Sequence, residues 1–69
     1  MTPREAVLTV LAEEPGPLHW TVVQDRALRA GYLDPFELGD VRAAVHAALR
    51  ELVAEGAVHR TATGTYRAA

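Results

Sequence analysis

A chain of 69 residues, 49% apolar and 23% charged, is limited to one domain, residues 1–69, with one small core and stability on the order of 3–5 kcal/mol. It has no cysteine, which excludes disulfides, thiolate metal sites and thiol nucleophiles, and no serine, which leaves threonine and tyrosine as the only hydroxyl nucleophiles. The formal net charge is −2, no apolar run approaches the ~18 residues of a membrane span, and Glu5, Glu13 and Glu14 interrupt the N-terminus as a signal peptide, so the expectation is a small cytoplasmic module with no membrane partner.

The first predicted element opens on Thr2-Pro3-Arg4-Glu5, a capping box in which Thr2 accepts the backbone N–H three residues on and Glu5 reaches back. Ala6, Val7, Val10 and Leu11 then fall on one side at helical spacing, and Pro15-Gly16-Pro17 ends the helix. Leu18-His19-Trp20 is an extended connector or a one-bridge strand, with Trp20 read as core and His19 as a hydrogen-bonding residue at the start of the next helix. That second helix runs from about Thr21 to Ala30, buries Val23 and Ala27, and stops at Gly31. Residues 31–39 form a loop with one helical turn at Pro35–Leu38, whose Tyr32, Leu33, Phe36 and Leu38 are expected to plug the core from the side.

Asp40 caps the clearest helix, where Val41, Ala44, Val45, Ala48, Leu49, Leu52 and Val53 make an apolar stripe that ends at Gly56. Ala57–Thr61 and Thr65–Arg67 read as strands around Ala62-Thr63-Gly64, a hairpin in which Gly64 supplies the positive φ. Three helices followed by a two-stranded hairpin predict an α+β fold, a small winged helix-turn-helix.

Charge is distributed unevenly over that outline. Residues 1–40 hold three arginines against seven acids, whereas residues 41–69 hold four arginines against Glu51 and Glu55. Lysine, asparagine and isoleucine are all absent; their A/T-rich codons point to a G+C-rich genome, which weakens any argument that arginine was chosen over lysine for its chemistry. The basic half is the third long helix and the wing, the elements a winged helix sets against DNA. At 100° per residue, Arg42, His46 and Arg50 follow one edge of that helix, with Ala43, Ala47 and Ala54 on the outward face beside them and Glu51 and Glu55 turned away. The plain alternative for such a stripe is a solvated helix face.

Pro17-Leu18-His19-Trp20, followed by Val23, Arg26-Ala27-Leu28 and Gly31, resembles the start of the HARE helix-turn-helix module, in which a Pro-Leu-His-aromatic segment leads into the second helix. Val58-His59-Arg60 with Gly64-Thr65-Tyr66 is similar to that family's wing. The resemblance implies a winged helix linked to DNA or to the transcription machinery; related modules occur in the delta subunit of bacterial RNA polymerase, in restriction-system proteins and in chromatin proteins. The chain departs from the pattern in its uncharged Ala62-Thr63 wing turn and its acidic loop 31–39.

Chemistry-bearing constellations are otherwise sparse. His19, His46 and His59 lack metal-ligand spacing, adjacent Glu13-Glu14 point apart on a helix, and the glycines are isolated terminators, so no metal, cofactor or catalytic residue is expected and the chain is not expected to be an enzyme. The sequence therefore predicts a double-stranded DNA-binding module in transcription or its regulation. Arg42 and His46 are expected at base edges or phosphate, Arg50 on the backbone, and Arg60 and Arg67 at the wing. His59, like His46, could touch phosphate once protonated. The alternative, favoured by the net acidity and the uncharged wing turn, is a protein-interaction winged helix that docks on RNA polymerase or another partner without touching DNA.

Overall fold

The computed structural model describes all residues, 1–69. Helix α1 (Pro3–Ala12) starts on the expected box: Thr2 Oγ1 accepts the Glu5 N–H at 3.2 Å and Glu5 Oε1 accepts the Thr2 N–H at 2.9 Å. The Thr2 backbone N–H on the carboxylate, and after it the Thr2 side chain, favour the ionised form and hold the Glu5 carboxyl below its ordinary range. After the Pro-Gly-Pro break comes β1 (Leu18–His19), and α2 (Trp20–Arg29) begins directly, with His19 as its cap and Trp20 as its first residue.

Residues 31–39 contain one helical turn, α3 (Pro35–Leu38), capped by Asp34 Oδ1, which accepts the Phe36 N–H at 2.9 Å. Leu33 is buried, and Tyr32 and Leu38 pack against the core. Phe36 does not. It is 98% exposed, which corrects the expectation that it plugs the core. One turn of helix has only one inward side, and Leu38 takes it.

Asp40 Oδ1 accepts the Ala43 N–H at 3.0 Å and opens α4 (Val41–Ala54), which buries Val45, Ala48, Leu49 and Leu52. Val53, expected in the stripe, lies at its margin and is 37% exposed. The wing is β2 (Val58–Ala62) and β3 (Thr65–Ala68), antiparallel, joined by Thr63-Gly64, with a register shift between Arg60 and Ala62. Ala62 thus belongs to the strand rather than to the turn. β1 pairs antiparallel with β3, giving a three-stranded sheet in the order β1-β3-β2.

The core is one cluster of 12 buried residues from α1, α2, α4, Leu33 and Val58, and no polar side chain is buried in it. The result is an α+β fold with three long helices and a C-terminal hairpin, a generic winged-helix-like architecture. No helix is long and apolar enough to cross a membrane.

Candidate functional site

The sheet and α4 are coupled through the start of α2. Leu18 lies opposite Tyr66 and His19 opposite Thr65, and the Trp20 N–H donates to the Gly64 carbonyl at 2.9 Å. His19 Nδ1 lies 2.8 Å from Thr21 Oγ1 and accepts the Thr21 N–H at 3.3 Å, which fixes the imidazole beneath the wing turn. Gly64 has φ +74°, and a Cβ there would stand 2.9 Å from His19 Nε2 and 3.4 Å from Trp20 Cδ1. Both the backbone conformation and the close approach require glycine.

Trp20 is half-buried rather than core. It forms a shelf between the wing turn and the first half of α4, its ring centroid 5.8 Å from that of His19 and 4.5 Å from that of His46. The Arg42 guanidinium carbon lies 5.3 Å from the Trp20 ring centroid, a cation–π contact worth ~0.5–1 kcal/mol at an exposed site. Of the expected edge, Arg42 and Arg50 are exposed, whereas His46 is half-buried against Trp20, its Nε2 enclosed without a hydrogen-bond partner. Ala43 and Ala54 face outward, but Ala47 does not; it lines a shallow groove against Thr2, Pro3 and Arg4, because the start of α1 covers that side of α4.

The pleat separates the two wing arginines. Arg60 lies opposite Tyr66 on the face that carries buried Val58, next to Arg50 and Val53 of α4. Arg67 lies opposite His59, and both are exposed on the other face of the hairpin. The structure therefore brings Arg50 and Arg60 together at one groove, sets Arg42 two turns earlier on α4 over Trp20, and leaves Arg67 on the opposite face of the hairpin. No family model, curated protein or solved structure matches the chain.

The ion pairs complete the electrostatics of this surface. Arg4 reaches from α1 to α4, binding Glu55 through both terminal nitrogens, one at 2.6 Å, and lying 3.5 Å from Glu51. The Glu55 hydrogen bonds hold the Arg4 guanidinium above its ordinary pKa, and reciprocally hold the Glu55 carboxyl below its own. Arg26 pairs with Glu14, and Arg29 with Asp25 at 3.1 Å. No carboxylate pairs with Arg42, Arg50, Arg60 or Arg67. The Arg4 partnership was not legible in the sequence, since its members stand 47 and 51 residues apart.

Proposed function

We propose that this winged helix binds double-stranded DNA through α4 and the wing, as a module of transcription or its regulation. One observation carries the reading. Every arginine of residues 1–40 is engaged by a carboxylate, every arginine of residues 41–69 is free, and the two acids of that second half are held by Arg4 on the far side of α4. A positive surface without internal counter-charges can exchange its mobile anions for phosphates and gain the entropy of counterion release. Arg42, steadied on Trp20, and Arg50 would meet the major groove or its phosphates, while His46 holds the shelf under Arg42. Arg60 would anchor the wing beside them, and Arg67 would reach phosphate only from the outer face of the hairpin.

The HARE resemblance is part of the proposal. Of the two stretches that carry it, the Leu18–Trp20 part of the first and the Gly64–Tyr66 part of the second pair with each other. Docking on RNA polymerase or another protein is the second reading, supported by the net charge of −2 and the uncharged Ala62-Thr63 strand end and turn.

The test is fluorescence anisotropy of a labelled random duplex over a salt series at neutral pH. With about four phosphate contacts, log K should fall against log salt with a slope of roughly −3 to −4. Absence of binding at low salt by a folded protein would favour the protein-docking reading.

A further inference from the structure

Four large hydrophobic side chains are exposed: Met1, Val22, Phe36 and Val53. Two of them sit in complementary surroundings. Phe36 projects from α3, flanked by exposed Asp34 and Glu37 and followed by exposed Asp40, so it is an aromatic knob in an acidic setting. Val53 lies in a groove of about 370 Å³ between the last turns of α4 and the wing. Leu49, Val53, Ala54 and Tyr66 give that groove an apolar lining, and Arg50 and Arg60, neither paired with a carboxylate, complete it. A cavity of about 150 Å³ already holds a benzene ring, so the groove admits a phenyl group with room for its flanking chain.

We infer that the chain associates with a second copy of itself, the Phe36 knob of one molecule entering the Leu49–Val53–Tyr66 groove of the other while Asp34 and Glu37 face Arg50 and Arg60. The knob cannot fill its own groove. Phe36 precedes the start of α4, and Leu49 to Ala54 lie 8 to 13 residues beyond Val41, roughly 12–20 Å along the helix axis at ~1.5 Å per residue. The pairing removes both an exposed aromatic and an apolar groove from water and satisfies charges of opposite sign at the rim. One aromatic anchor buries about 150–250 Å², far below the ~1,200 Å² of a stable complex, so the association is weak, with Kd roughly 0.1–1 mM. The inference does not rest on DNA binding, although the two uses of Arg50 and Arg60 exclude each other.

The experiment is a concentration series followed by sedimentation velocity and two-dimensional NMR of the labelled chain. The Phe36 and Glu37 amides are expected to shift together with those of Val53 and Tyr66, and the sedimentation coefficient to rise. Phe36→Asp and Val53→Asp should each abolish both changes. An equimolar mixture of the two variants keeps one intact knob and one intact groove, and should regain association as a mixed pair. If Val53→Asp loses its fold, Arg60→Glu serves for the groove: it should weaken association about tenfold or more, and Glu37→Arg in the same chain should restore it. Unchanged spectra up to millimolar protein, or association that survives Phe36→Asp, overturns the inference. So does a mixture that stays monomeric.

Discussion

The arginines of the first 40 residues and those of the last 29 have different neighbours, and the difference follows from where the acids lie. Seven carboxylates share the first region with three arginines, and two of those arginines find partners among them, Arg26 with Glu14 and Arg29 with Asp25. The second region has two carboxylates, both on the edge of α4 that faces α1, where Arg4 takes them. Isolated surface ion pairs contribute little to stability. Their placement has a larger consequence for the surface field, because it leaves the α4–wing face positive in a chain of net charge −2.

The largest expected effect tests whether the two regions stand on one core. Leu49 is buried in the one core cluster that α1, α2, α4 and Val58 of the wing share, and it lines the groove beside the wing. Leu49→Ala should cost ~2–5 kcal/mol, enough to unfold much of so small a domain. Urea denaturation followed by tryptophan fluorescence and by far-UV circular dichroism should move by the same amount. If only one probe moved, the two regions would be separable.

Gly64→Val tests the junction at which the regions meet. A β-branched residue at φ +74° costs about 1–3 kcal/mol, and its Cβ would also press on His19. Hydrogen exchange at the Trp20 amide, which bonds the Gly64 carbonyl, should accelerate while the amides of α1 stay protected. Equal acceleration at both would mean that the wing and the helices open as one unit.

Charge variants sharpen the contrast itself. If DNA meets the free arginines, Arg50→Ala and Arg60→Ala should each reduce the salt slope by about one unit, and Arg42→Ala should also relax specificity if it reads a guanine. Arg67→Ala, on the outer face of the hairpin, should reduce it by less, and Arg4→Ala should leave it unchanged. A slope equally sensitive to Arg4 and Arg50 would remove the distinction between paired and free guanidinium groups.

What the sequence made legible was the local chemistry. The Thr2–Glu5 box, the Asp40 cap and the apolar phase of α4 are dictated by residues within four positions of one another, and they form as expected apart from Val53 at the margin of the stripe. Gly64 was legible for its backbone, but the nearness of His19 was not, because that contact spans the chain. Phe36 was misplaced for a related reason: hydrophobicity marks what benefits from burial, and only tertiary packing decides which side of a single turn receives it. The same holds for the site. Helical spacing put Arg42, His46 and Arg50 on one edge, yet it could not show that Trp20 would draw His46 inward beneath Arg42. Nor could strand length show that Arg60 and Arg67 fall on opposite faces until the register was fixed.

The smallest expected effect concerns the paired region. The Glu55 carboxyl is held below its ordinary value by its hydrogen bonds with Arg4, so folding releases a proton at acidic pH that the unfolded chain retains. The contribution is therefore fully present above the unfolded value of about 4.3, and it is lost as pH falls through the lower native value. Glu55→Gln removes the charge. Its stability should differ from wild type at neutral pH, with the gap closing as pH falls below about 4 and narrowing with added salt, since the pair is exposed. Chemical denaturation of both proteins across that range measures the gap. A constant gap at every pH would mean that Gln alters packing rather than charge. In the DNA titration the same variant should keep the wild-type salt slope, because Glu55 faces α1 and never opposes phosphate.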